Sequence, residues 1–144
     1  MKIDRKDLYH GAALTQITEH GSFKALNKAD TKYGHYLVNT DRRLLTKHSE
    51  KASGPWQFTF QHDDLESLKA DMISGFSTYI VLVCGPVTVC LLDYNEFVQL
   101  IDLDATTQQW IRVQIPKASM QVSGSEGHLK RAVKHNGFPN RIFE

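Results

Sequence analysis

Cysteine, proline and long apolar runs are all scarce in this chain, and each scarcity closes off a class of protein. Two cysteines, Cys84 and Cys90, stand among 144 residues, too few for a disulfide scaffold and too few to make a zinc site alone. Four prolines and no low-complexity tract argue against a disordered or linker-rich chain. The longest apolar stretch, Tyr79 to Cys84 and on through Val87 to Leu92, is interrupted at Gly85-Pro86, so it is too short and too broken to span a bilayer. Met1 to Asp7 holds no apolar segment of the kind a signal peptide needs. A cytoplasmic protein without a membrane partner is expected, and in that reducing compartment no disulfide.

The familiar enzyme signatures are missing too. There is no Gly-x-x-x-x-Gly-Lys-Ser/Thr phosphate loop and no Gly-x-Gly-x-x-Gly after a strand. Ser123-Gly124-Ser125-Glu126-Gly127 lacks the first glycine of a nucleophile elbow and does not follow a buried strand. The seven histidines are scattered, with neither His-Glu-x-x-His nor paired Cys-x-x-Cys in support, so ordinary surface histidines are expected.

What is present reads as one globular domain over residues 1–144. Hydrophobic content of 41% and charged content of 23% suit a single core. The net charge of +1 conceals a split. Residues 1–60 hold ten Lys/Arg against six Asp/Glu; residues 61–104 hold only Lys69 against eight acids; residues 105–144 hold six against two. A basic face and an acidic face of this kind steer partners more than net charge does.

Along the chain, Asp4-Arg5-Lys6-Asp7 predicts a capped helix carrying Tyr9, Ala13 and Ile17 at helical spacing and stopping near Gly21. Ser22 to Lys28 reads as a short second helical piece. Tyr33 to Asn39 and Arg43 to Ser49 read as a hairpin about Asn39-Thr40-Asp41. Trp56, Phe58 and Phe60 alternate with Gln57 and Thr59, which predicts a half-buried strand with an aromatic core face. From about Asp63 a helix sets Leu65, Leu68 and Met72 on one stripe and acids on the other. Tyr79 to Val83 has no alternation and predicts a central strand covered on both faces, with Val87 to Leu92 beside it. A two-residue loop at Gly85-Pro86 would point Cys84 and Cys90 to opposite sheet faces; a three-residue loop would put them on one. Asp93-Tyr94-Asn95-Glu96 predicts a capping box, Trp110 to Ile115 a strand, Met120 to Val122 one more, and Ser125 or Glu126 the start of a last helix holding Leu129, Ala132 and Val133 inward.

The fold class this predicts is α/β or α+β: a mixed central sheet of five or six strands flanked by helices, with α-β-β-β-α-β order from residue 4 to residue 84. That order resembles the core of the PD-(D/E)XK, restriction-endonuclease-like nuclease superfamily. The resemblance implies an acid at the start of the second core strand, an acid-x-lysine in the third, a Mg²⁺ ion held by the acids, and metal-assisted phosphodiester cleavage. In this sequence the strand Leu44-Leu45-Thr46-Lys47 offers the lysine, with Leu45 where an acid belongs, and Gln57 and Thr59 stand for the acid-x-lysine. Carried over residue by residue, the resemblance makes Lys47, Asp41, Glu19 and Asp30 the catalytic candidates, Asp41 and Asp30 the metal ligands, and Mg²⁺ the cofactor. The plain alternative makes Asp41 a turn residue and Lys47 a solvated hairpin charge.

Two basic clusters are candidate contacts to DNA or RNA: Arg42, Arg43 and Lys51 around the hairpin, and Lys130, Arg131 and Lys134 near the C-terminus. Phosphate contacts by such residues give sequence-independent, salt-sensitive binding. The function expected is therefore nucleic-acid association on a nuclease-like fold. The rival is a non-enzymatic interaction module, a homodimer pairing the acidic middle with the basic ends.

Overall fold

The computed structural model describes all residues from Met1 to Glu144. The first helix, α1 (Arg5–Thr18), is followed by β1 (Leu26–Lys28), β2 (His35–Val38), β3 (Arg42–Ser49) and β4 (Trp56–Phe60). Helix α2 (His62–Ile73) leads into the hairpin β5 (Ser77–Cys84) and β6 (Thr88–Asp93). A one-turn helix α3 (Tyr94–Phe97), strands β7 (Gln109–Gln114), β8 (Gln121–Gly124) and β9 (Gly127–His128), and two short turns between Gly137 and Phe143 complete the chain.

The strands form two sheets, one of five in the order β1-β2-β3-β5-β6 and one of four in the order β4-β7-β8-β9. The larger is mixed: β3 and β5 run parallel, and its other pairs are antiparallel. The α+β class and the mixed five-stranded sheet agree with the sequence expectation. The second sheet does not appear in that expectation. Trp56, Phe58 and Phe60 do face a core, but β4 leaves the hairpin's sheet and pairs with β7 instead. The three strands of the α-β-β-β-α-β order are thus divided between two sheets.

Apolar side chains fill both faces of the larger sheet. On one face Leu45, Ile80, Leu82, Cys84, Cys90 and Leu92 meet Leu65 and Leu68 of α2 and the aromatic face of β4. On the other, Leu44, Val81, Val83 and Leu91 meet Ala13 and Ile17 of α1 together with Phe138 and Ile142. This double cover explains the unalternated run of β5, whose residues from Ile80 to Cys84 are all buried. Cys84 pairs with Thr88 across a three-residue loop, so the two free thiols share a face. Gly85 in that loop has φ +54°, and a Cβ there would lie 2.0 Å from the Lys51 carbonyl oxygen. Only glycine fits both demands.

Local expectations divide. Asp93 and Glu96 make the reciprocal capping box (Glu96 N–H to Asp93 Oδ1 2.9 Å, Asp93 N–H to Glu96 Oε1 3.0 Å). The Asp4 side chain makes no capping bond. Ser22 to Lys28 is no helix; its end is β1, paired with β2. The last helix is also absent. Ser125 and Glu126 form a tight turn tied by Ser125 N–H to the Trp110 carbonyl (3.0 Å) and Glu126 N–H to the Leu100 carbonyl (2.9 Å). Beyond it, Leu129 and Val133 bond back to Val122 and Met120. The free edge of β8 offers unpaired backbone groups, and satisfying them outweighs the helix propensity of Leu129 to His135.

Leu82 is fully buried between β3 and β6. Leu82→Ala should cost about 2–5 kcal/mol, read as a lower midpoint in a urea melt; a cost below about 1 kcal/mol would contradict the packing described.

Candidate functional site

Polar side chains gather on both sides of β3. On the side facing α2 lies an ionic seam. Asp64 and Asp71 are seven residues apart on α2, with Leu68 midway, so all three share one helix face. Both carboxylates are buried. Asp64 accepts from Lys47 Nζ (2.8 Å), Lys32 Nζ (2.9 Å) and the Gln61 N–H (2.9 Å). Asp71 accepts from His35 Nε2 (2.6 Å) and Arg43 Nη1 (3.2 Å). The Arg43 guanidinium also lies 4.2 Å over the Phe76 ring. Asp30 Oδ2 comes within 3.0 Å of His35 Nδ1, close enough for charge pairing but misaligned for a hydrogen bond.

These contacts set the protonation states. Burial pushes the Asp64 carboxyl up, but bonds from Lys47, Lys32 and the Gln61 N–H outweigh it and hold the group below the ordinary carboxylate range. Burial likewise works against charging His35, yet the bond and charge of Asp71, with Asp30, raise its pKa.

On the other side, β3 continues past the end of β2, so its edge from Thr46 onward lacks a neighbouring strand there. Strand β4 is itself an edge of the smaller sheet. Between these edges opens a cleft of ≈ 300 Å³, walled by Thr46, Lys47 and His48 of β3, Gln57 to Thr59 of β4, Lys6 and His10 of α1, and Tyr33. His10 Nε2 and His48 Nδ1 are 3.0 Å apart and share one proton. Burial first, then His48, lowers the pKa of His10 to about 4. Tyr33 Oη donates to Asp7 (2.7 Å), and Lys6 Nζ sits 4.3 Å above the Tyr33 ring. Gly34 packs against Thr46 beside the cleft: at φ +84° a Cβ would lie 2.5 Å from the Thr46 carbonyl.

The outer face of the smaller sheet is a third polar surface. Gln57, Arg112, Ser123 and His128 are cross-strand partners in one row through all four strands. Thr59 pairs with Trp110, and Gln114 with Gln121, on the same face. No carboxylate stands among these residues. The face runs into a groove of ≈ 600 Å³ holding Gln114, Gln121, Ser123, His128 and Lys130.

The candidates from the sequence fall in different places. Lys47 lines the cleft together with Gln57 and Thr59, the three positions the nuclease resemblance singles out. Lys47 is not a solvated hairpin charge, because Asp64 binds it. Asp41 stays in the β2–β3 turn paired with Arg42. Asp30 stands beside His35, and Glu19 caps the C-terminus of α1. These acids are not brought together, and no group of three or more His, Cys, Asp or Glu is placed to hold a metal ion. A lone carboxylate is a poor Mg²⁺ ligand set, so the residues present do not fit that ion.

The first basic cluster is absorbed by the fold. Arg42 donates to the Ile142 carbonyl, Arg43 to Asp71, and Lys51 Nζ to the Pro55 carbonyl (2.7 Å). Lys130, Arg131 and Lys134 are exposed on the segment that replaces the expected helix. Sequence reasoning missed Asp64 and Asp71, and it took the histidines for surface residues, whereas His10 and His35 are buried. The helical spacing of Asp64 and Asp71 with Leu68, and of His10 with Ala13 and Ile17, is the signal that marks the first three as inward. No helix of the structure is long and apolar enough to cross a membrane. No family model matches the chain, and no curated protein or solved structure matches it significantly.

Two outcomes test the seam and the histidines. Asp71→Ala strands His35 and Arg43 and should cost about 3–5 kcal/mol in a urea melt, the range for breaking a buried pair. Stability should peak near pH 6.5, the ordinary histidine value. His10, depressed when folded, loses its contribution as pH falls from 6.5 through about 4, on the order of 3 kcal/mol in all. His35, raised when folded, loses its contribution as pH climbs above 6.5. In melts across pH, His10→Asn should flatten the acid limb and His35→Asn the alkaline limb.

Proposed function

We propose that the chain binds single-stranded nucleic acid across the outer face of its smaller sheet. The observation that carries this is the carboxylate-free row Gln57–Arg112–Ser123–His128, with Trp110 beside it and Lys130 in the adjoining groove. Half-buried Trp110 offers a ring for a base to stack on. Arg112, His128 and Lys130 supply phosphate contacts, and the glutamines and Ser123 supply neutral hydrogen bonds. The lack of acids means that a polyanion meets no repulsion along the face. Metal-assisted cleavage forms no part of the proposal, since Asp41, Asp30 and Glu19 are dispersed.

Fluorescence anisotropy with a labelled single-stranded oligonucleotide tests the reading. Affinity should fall steeply as salt rises. Trp110→Ala should weaken binding by roughly tenfold, within the range for one stacked base. Arg112→Glu should weaken it at least as much while leaving the melting temperature nearly unchanged, because Arg112 is exposed. Absence of binding to RNA and DNA at low salt would remove the proposal.

A second reading, pairing of two copies through a protein-interaction surface, rests on a separate observation. Ile73, Tyr94 and Val98 are exposed large apolar side chains, and Met72, Leu103, Asp102 and Asp104 flank the last two. The rim is net acidic, with Asp104 paired to Lys69 and Asp102 and Glu126 beside it, and such a patch suits the basic ends of a second chain. A monomeric mass by light scattering at high concentration would exclude it.

A further inference from the structure

We propose that the cleft between β3 and β4 is a phosphate-binding site, which takes a phosphate monoester such as the terminal phosphate of a nucleic-acid strand. The inference deepens the nucleic-acid reading and rests on it for the carrier, since Gln57 and Thr59 belong to both the cleft and the sheet face.

Three features of the cleft support it. First, its wall holds no acid, and Lys6, Thr46, Lys47, His48, Gln57 and Thr59 stand as donors along it. The carboxylates around it are already engaged, Asp7 by Tyr33, Glu50 by Arg5 Nε (2.7 Å), and Asp64 by Lys32 and Lys47. Second, Lys6 makes no ion pair; its ammonium rests only on the Tyr33 ring, so a phosphate oxygen gains a charged partner without displacing one. Third, His10 is 3% exposed, and its Nδ1 has no hydrogen-bond partner. A buried polar atom left unpaired is costly. When His48 Nδ1 carries the shared proton, His10 carries its own on Nδ1, a donor lacking an acceptor. Nδ1 is closed to solvent in this conformation, so a phosphate oxygen supplies that acceptor only when the ring turns toward the cleft, and binding then favours this tautomer. The ≈ 300 Å³ volume accommodates a phosphate and leaves room for part of the group that carries it.

The probe is inorganic phosphate, titrated into the full chain while the His10 and His48 imidazole resonances are followed by NMR, with chloride at matched ionic strength as the control. Saturable shifts of both rings with phosphate, and none with chloride, are expected. Lys6→Ala should weaken binding by about tenfold, the loss of one charge-assisted bond, and Lys6→Glu should abolish it. Lys6 is exposed, so both variants should fold. A 5′-phosphorylated trinucleotide should bind more tightly than its 5′-hydroxyl counterpart. Inorganic phosphate has no base to stack on Trp110, so its binding tests the cleft alone while the oligonucleotide tests the sheet face, and the two stand or fall separately. Phosphate that shifts neither histidine, or that binds Lys6→Glu as well as the native chain, would overturn the proposal. If inorganic phosphate binds but the two trinucleotides bind equally, a nucleic-acid terminus is rejected as the source of the phosphate.

Discussion

Asp64 and Asp71 stand one above the other on the buried face of α2, and cations from the β2–β3 region close on both. Charges this deep are tolerated only when every lone pair finds a donor. The helix therefore has one rotation and one height against β3 at which the seam closes. Because α2 connects β4 to β5, fixing it over β3 also fixes the direction of the parallel β3–β5 pair and the point at which β4 departs. The two sheets, and the gap between their edges, follow from that placement.

The division into two sheets has consequences for chemistry. A strand that stayed beside β3 would have paired its backbone and closed the edge. With β4 in the smaller sheet, Thr46 to His48 and Gln57 to Thr59 face each other across open space, and α1 brings Lys6 and His10 to the same place. The resulting pocket is built of nitrogen and hydroxyl donors, not of carboxylates. That composition suits an anion, whereas a divalent metal needs several oxygen ligands. Lys47, the one cation that the nuclease resemblance singles out, is held by Asp64 and so works first as a structural residue.

Burial also distributes protonation over the molecule. His10 and His35 are both nearly inaccessible, yet the pKa of one is lowered and that of the other raised. The difference lies in their neighbours: His10 faces a second imidazole, His35 two carboxylates. Identical side chains thus take opposite electrostatic roles on the two sides of one strand.

Much of this architecture was legible in the chain alone. The unalternated run Tyr79 to Val83, the alternation of Trp56, Phe58 and Phe60, the Asp93–Glu96 capping box and the helical stripes of α1 and α2 are local signals. Local sterics and apolar periodicity dictate them wherever the segment ends up. Pairing was not legible in the same way. That β4 leaves β3 for β7, that residues 127–133 form a short strand, a bend and a bridge where a helix was expected, and that Ser22 to Lys28 ends in a strand are decided by distant backbone groups that need partners. The site divides along the same line. Lysines, histidines and glutamines were visible in the sequence, but which of them face one cleft depends on the gap between two sheet edges. Only the tertiary structure sets that gap, because pairings between distant segments place the edges of β3 and β4 opposite each other.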